Sequence, residues 1–248
     1  MPDPIHTSSD RRYRMRCSPR QGELVFQVVL EHTDLWVTAQ LDCSAEVLSE
    51  VRRLRGQIKS FMTTSPEFAV SLVPVEVPAS APELVRRMAG AARQCGVGPM
   101  AAVAGAIAQA VADRFAPRSR DIIVENGGDV YLHSTRDRTV GLLSRPGEGL
   151  NLGLSLHRRE FPLALCASSG RIGHSLSFGR GDLVVVKSRS GAFADAAATT
   201  LANRLVTRRD VNAVLGQARQ LAPAGLTGVF AQFDDQLGIW GEMELVEL

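Results

Sequence analysis

The chain has only four cysteines in 248 residues. Cys17, Cys43, Cys95 and Cys166 include no pair two residues apart and no histidine at finger spacing. This excludes a zinc-finger ligand set and a disulfide framework, and four reduced thiols fit a cytoplasmic protein. Long apolar runs are also missing. The least polar stretch, Val97 to Ala112, is interrupted by Pro99 and Gln109 and is too short to span a bilayer. Met1 to Asp10 contain no apolar segment, so a secretory signal is not expected, and the expectation is a soluble, cytoplasmic chain with no membrane partner. No nucleophile elbow G-x-S-x-G occurs, which argues against that class of hydrolase, and no Walker A sequence occurs. His6, His32, His133 and His157 have no mutual spacing suited to a metal cluster. Excess charge is absent too: 28 basic against 26 acidic residues leave a net charge of +2, so no nucleic-acid partner is expected.

What remains is an ordinary folded composition, 45% apolar and 22% charged, long enough for a sizeable core. Strand-like runs open the chain at Tyr13 to Cys17, Leu24 to Leu30 and Leu35 to Leu41, with a turn at His32-Thr33-Asp34. In the first run Arg12, Arg14 and Arg16 share one face. That fits a charge-protected edge strand or, alternatively, a phosphate-facing one. Helical spacing follows from Ser44, a candidate N-cap, through Val47, Val51, Leu54, Ile58 and Phe61 to Ser65-Pro66. After a proline-rich loop, Pro74 to Pro82, helices are predicted from Pro82 to Gln94 and from Pro99 to Phe115. The second has almost no polar surface and should be buried nearly all round. Strands are then expected at Ile122 to Glu125, Val130 to His133, Val140 to Ser144, Leu150 to Leu156, Leu163 to Cys166 and Leu183 to Lys187. Helices follow at Gly191 to Arg208 and Val211 to Leu221. Closing strands are Val229 to Phe233, Gly238 to Trp240 and Met243 to Leu248, with a turn at Asp234-Asp235. Blocked strands and helices imply an α+β fold with mixed or antiparallel sheets packed against helices, in a single domain over residues 1–248.

Several stretches combine chemistry with small side chains. Asn126-Gly127-Gly128-Asp129 lies between two strand-like runs. It reads as a tight hairpin turn or as a backbone cradle that presents N–H groups to an anion. Glu125 is a second carboxylate beside it, but the turn leaves unclear whether the two converge, and it stays outside the predicted site. Asp195 and Thr199 share one helical face, where they can hold a hard cation. The alternative pairs Asp195 with Arg204 or Arg180 and lets Thr199 bond back to the helix. Ser168-Ser169-Gly170-Arg171-Ile172-Gly173-His174-Ser175 offers hydroxyls, Arg171 for a phosphate and His174 for proton transfer, or is a solvated polar loop. Gly96-Val97-Gly98-Pro99-Met100-Ala101 matches the dinucleotide pattern G-x-G-x-x-A, but the run before it is helical, which excludes a Rossmann site.

Four ordered segments, Gly96 to Gly105, Val124 to Asp129, Ser168 to Gly179 and Ala194 to Thr199, together resemble the uncharacterised ApbE-like proteins, a branch related to the ApbE flavin transferases. Those transferases use FAD and magnesium to attach FMN to a threonine of a target protein. The resemblance implies an ApbE-like fold and a cofactor pocket lined by Asn126, Gly127, Gly128, Asp129, Ser168, Ser169 and Gly170. It also implies a magnesium site at Asp195 and Thr199, and His174 as the catalytic histidine. FAD or FMN, or another nucleotide, would be the ligand, Mg2+ the ion, and a protein the acceptor. One element departs from the transferases: their H-I-x-D-P-x-T-G loop is replaced by His174-Ser-Leu-Ser-Phe-Gly179. The competing expectation is a cofactor-binding or carrier protein that kept the fold without transfer chemistry.

Overall fold

The computed structural model describes residues 19–142, 152–170 and 179–248. The run at Tyr13 to Cys17 and His174 lie outside them, as do the end of the Val140 to Ser144 strand and the start of the Leu150 to Leu156 strand.

An apolar run builds β1 (Leu24–Leu30), and alternation of Leu35, Val37 and Ala39 builds β2 (Thr33–Ala39), in an antiparallel hairpin in which Leu30 faces Thr33. The turn is Glu31-His32, earlier than the sequence suggests, because Glu31 takes a left-handed φ of 54° and lets the strands join through two residues. Helix α1 (Ser44–Thr64) buries Val47, Val51, Leu54 and Ile58, as its spacing predicts. Ser44 is not its N-cap. Cys43 occupies that position, and the Ser44 N–H donates instead to the Asp42 carboxylate at 2.9 Å.

A short helix, α2 (Glu67–Val70), precedes α3 (Glu83–Cys95). The helix expected over Pro99 to Phe115 is divided into a 3-10 turn at Pro99–Ala102 and α4 (Val103–Phe115), because Ala102 departs from helical geometry. From Met100 to Ala112 no residue is exposed, so the forecast of all-round burial holds.

The remaining strands are β3 (Ile122–Asn126), β4 (Asp129–His133), β5 (Arg138–Gly141), β6 (Leu152–Leu156), β7 (Leu163–Ser168), β8 (Leu183–Ser188), β9 (Leu226–Phe233), β10 (Gln236–Gly241) and β11 (Glu244–Glu247). Helix α5 (Gly191–Arg204) ends four residues before the predicted Arg208, and α6 (Val211–Leu221) has the predicted bounds. The early stop has a local cause. Leu205 leaves helical geometry, is fully buried, and its carbonyl accepts the Arg180 N–H at 2.9 Å.

Among the described residues, eight strands form one sheet in the order β1-β2-β3-β4-β7-β8-β9-β10, every pair antiparallel. A smaller sheet, β11-β6-β5, is antiparallel as well. The helices cover one face of the large sheet, with α4 on β3 and β4, α5 on β7 and β8, and α6 on β9 and β10. Val37, Val124, Val184 and Val186 face that layer in one core, while Leu132, Leu165, Val185 and Phe230 pack in a second core with Leu154 and Leu156 of the small sheet. This is the expected α+β architecture.

At the leading end of β3 the strands carry a buried ion cluster. Arg138 donates to both oxygens of Glu23 and, at 3.2 Å, to Asp121. All three side chains are nearly inaccessible. Asp121 also accepts from the Thr135 N–H at 2.8 Å and from the Ser134 hydroxyl at 2.9 Å. Burial opposes its charge, but these donors and Arg138 outweigh burial and hold its pKa down to about 2.

Candidate functional site

At the other end of β3 the chain turns through Gly127-Gly128, with Asn126 opposite Asp129. Both glycines have positive φ, 68° and 111°. The hairpin reading of this segment is therefore correct, since a two-residue turn of this kind needs left-handed geometry at both central positions. A Cβ built on Gly127 would meet nothing within 4 Å, so the turn borders open space.

The strand pleat points Asn126 and Asp129 toward the helix layer. Asn126 is 7% and Asp129 6% exposed. The Asn126 Nδ2 donates to the Ala104 carbonyl at 3.1 Å, which ties the hairpin to the first turn of α4. Asp129 accepts from the Ala167 N–H of β7 at 3.3 Å and lies near the Cys166 thiol, which donates to the Gly191 carbonyl at 3.6 Å. Ser168 follows on the same face of β7 as Cys166. Among the described residues its Oγ is buried and has no hydrogen-bond partner, an uncommon state for a hydroxyl away from water.

Helix α5 completes the cluster. It begins beneath Ser190, whose hydroxyl accepts the Phe193 N–H, and its run of alanines lets it lie close to β7 and α4. Asp195 is half-buried, and its Oδ2 accepts the Gly105 N–H at 2.9 Å. The expected alternative partners, Arg204 and Arg180, do not neutralise it: among the described residues no arginine or lysine pairs with Asp195 or Asp129. Burial raises both carboxyl pKa values, and their mutual repulsion raises that of Asp195 further, against the lowering effect of the Gly105 and Ala104 amides. Burial drives the Cys166 thiol upward as well, and the two nearby carboxylates add to it.

The fold thus brings Asn126, Asp129, Ser168 and Asp195 to one place, with Thr199 half-buried one turn along α5. Ser169 is half-buried, and Gly170 belongs to the base of the segment that carries His174: its N–H donates to the Gly181 carbonyl at 3.1 Å. Glu125 lies on the opposite face of β3 from Asn126, yet its charge contributes to the raised pKa of Asp129. Among the described residues, no group of three or more His, Cys, Asp or Glu side chains is arranged to hold a metal. The donors present are carboxylate and hydroxyl oxygens, a set suited to a hard cation. Sequence reasoning missed Cys166 and the backbone of Ala104 and Gly105. The traces of the latter in the sequence are a glycine inside an otherwise apolar helical run and its place at the end of the resembling segment Gly96 to Gly105.

Comparison with solved structures gives the fold. The flavin transferase ApbE from Vibrio cholerae superposes with a TM-score of 0.58 at 14% identity, covering 88% of this chain and 96% of that one. The apo flavinyl transferase ApbE of Pseudomonas stutzeri gives 0.56 at 10% identity over 88% and 94%. At the sequence level, a UPF0280 protein from Methanocella arvoryzae is 36% identical over 197 residues, 79% of this chain and 80% of the relative. The family model described as AbpE bacteria matches residues 15–228, and on that match the chain belongs to the AbpE bacteria family.

Proposed function

We propose that the cluster around Asp129 and Asp195 binds a flavin nucleotide, FAD or FMN, or a related nucleotide together with Mg2+. The proposed reaction is transfer or hydrolysis at the phosphoanhydride, as in an FMN transferase. The observation that carries this reading is the pair of acids itself. Among the described residues, two carboxylates face one cluster with no basic partner, beside a buried hydroxyl that has nothing to bond, and that arrangement is costly unless a cation and a polar ligand enter it. Likeness of fold to the flavin transferases and membership of the family support the choice of nucleotide.

In this reading Asp195 and Thr199 hold the magnesium ion. Asn126 to Asp129 line the nucleotide side, and Ser168, Ser169 and Gly170 contact the ligand. Magnesium would screen the phosphate oxygens as an acceptor oxygen displaces the nucleoside monophosphate. Asn126 fixes the hairpin against α4, and the Gly127-Gly128 turn leaves room for the ligand to approach the backbone. His174 is the proposed proton acceptor for the attacking hydroxyl, of a protein side chain in transfer or of water in hydrolysis. The protein is proposed to act as one domain over residues 1–248, in the cytoplasm. Among the described residues no single helix is long and apolar enough to cross a membrane.

The test is calorimetry of FAD binding to ligand-stripped protein with and without Mg2+, in wild type and Asp195→Ala. Magnesium-dependent binding lost in the variant is the expected result, and no binding to wild type would end the flavin assignment. A second reading, a cofactor carrier without transfer chemistry, is favoured by one observation: His174 is followed by Ser-Leu-Ser-Phe-Gly and not by D-P-x-T-G. Mass spectrometry of a threonine-containing acceptor peptide incubated with FAD and Mg2+ separates the two. An FMN-sized gain that depends on Asp195 supports transfer, while FAD binding without any gain across a peptide panel supports the carrier.

A further inference from the structure

Two glycines lie where α4 and α5 cross. A Cβ on Gly105 would come 2.3 Å from the Gly191 carbonyl oxygen and 2.9 Å from the Asp195 Cβ. A Cβ on Gly191 would come 2.3 Å from the Gly105 carbonyl oxygen and 3.1 Å from the Gln109 Cβ. Neither glycine has a positive φ, so the residue type is required by space and not by backbone conformation. The helices touch main chain to main chain.

Around this contact the helices satisfy each other's amino ends. The first amides of a helix have no partner inside it. Gly105, in the first turn of α4, donates its N–H to Asp195 of α5 at 2.9 Å. Gly191, the first residue of α5, donates its N–H to Gln109 Oε1 of α4 at 2.8 Å. Gln109 is itself anchored, since its Nε2 donates to the Tyr131 hydroxyl at 3.2 Å and that hydroxyl donates to the Arg189 carbonyl at 3.2 Å. The exchange works only while the backbones stay in contact, because a side chain at either glycine would separate donor from acceptor.

We infer that Gly105, Gly191 and Gln109 are positioning residues for the Asp195 carboxylate, which they fix in place and orientation by a reciprocal exchange of helix caps at the α4–α5 crossing. The inference rests on the proposed magnesium site at Asp195. With Oδ2 bonded to α4, the carboxylate cannot turn freely about its bond to the helix. Its orientation toward Thr199 and Asp129 is therefore set before any ligand arrives, as outer hydrogen-bond partners do for metal-binding side chains generally.

Two measurements on the full chain test this. The first is Mg2+ affinity by calorimetry, in the presence of FAD, for wild type, Gln109→Ala, Gly105→Ala and Gly191→Ala. The control is Gly216→Ala in α6, where nothing lies within 4 Å of the new Cβ. Gln109→Ala, which adds no bulk, should weaken Mg2+ by about 10-fold or more, the usual effect of losing an outer partner of a metal ligand. The alanine-for-glycine variants should weaken it further, and the control should leave it unchanged. Gln109→Glu, which keeps an acceptor for the Gly191 N–H, should recover most of the affinity. The second is hydrogen exchange of the Gly105 amide in metal-free protein, which should be protected in wild type and exposed in Asp195→Ala and Gln109→Ala. If the Gly105 amide responds as described but wild type binds no Mg2+, the positioning holds and the magnesium reading fails. If Gln109→Ala folds and changes neither Mg2+ affinity nor Gly105 exchange, the inference is overturned.

Discussion

Strand β3 has an acid cluster at each end, and the two are built on opposite principles. At Asp121, two buried carboxylates share the Arg138 guanidinium, Arg136 reaches Asp121 at 3.4 Å, and hydroxyls, backbone N–H groups and the Gln40 amide meet the other acceptors. At Asp129 and Asp195 the carboxylates have amides and a nearby thiol but, among the described residues, no cation. The first cluster is complete within the chain. The second has no counter-charge among the described residues, which is why it is the candidate site. Burial alone does not distinguish a structural ion cluster from a functional one; the balance of charge does.

The largest effect should come from breaking the complete cluster. Arg138→Met leaves Glu23 buried without its cation and Asp121 with Arg136 alone, at 3.4 Å, and removal of one partner from such a buried pair typically costs about 3–5 kcal/mol. Urea denaturation should show the loss as a lower midpoint at an unchanged slope. A loss below about 1 kcal/mol would mean that Arg138 is not what balances these acids.

The two ends should also respond to pH with opposite signs. Asp121 has its pKa lowered to about 2, so its contribution is fully present above the ordinary carboxylate value near pH 4 and is lost as pH falls through about 2. Asp129 and Asp195 have raised pKa values. Their contribution is present below the ordinary value and is lost as pH rises through the raised ones. Between about pH 5 and pH 8 the metal-free wild type should therefore lose stability relative to Asp129→Asn. Added Mg2+ at pH 8 should restore it, by about 2.7 kcal/mol at a concentration 100-fold above Kd, and should do nothing for Asp195→Ala. Equal pH slopes in wild type and Asp129→Asn would show that the second cluster carries no uncompensated charge.

This difference between the ends also marks how far the sequence could be read. Alternation at Leu35 to Leu41 and helical spacing at Val47 to Ile58 or Val211 to Leu221 place whole elements to within two residues, because one buried face imposes a period on the residues that form it. The Gly127-Gly128 turn was legible for a similar local reason. Which elements meet was not. Nothing near Glu23 points to Arg138, 115 positions away, and nothing in the alanines around Asp195 points to the amide of Gly105. Periodicity reports the face a segment buries and is silent on what lies across from it. The departures were local as well: Ser44 yielded the cap position to Cys43, and Leu205 ended α5 by packing into the core. The acids and hydroxyl of the site were legible as residue types, while their lack of a counter-charge among the described residues appears only once the neighbours are known.

The smallest effect tests the comparison most finely, because it concerns one hydroxyl. Among the described residues Ser168 Oγ is buried without a partner, and a hydroxyl in that state has lost its water hydrogen bonds without replacement. Ser168→Ala should accordingly leave the ligand-free protein as stable as wild type or more stable by up to about 1 kcal/mol. FAD affinity in the presence of Mg2+ should fall by roughly 3- to 10-fold, the worth of one hydrogen bond of about 0.5–1.5 kcal/mol. The opposed directions separate the two kinds of polar burial in this molecule. Every hydroxyl around Asp121 is bonded within the fold, so Ser134→Ala should lower stability and leave FAD affinity unchanged. If Ser168→Ala instead destabilises the free protein and leaves the ligand unaffected, the hydroxyl belongs to the fold, and the β7 side of the proposed pocket must be redrawn around Ser169 and Gly170.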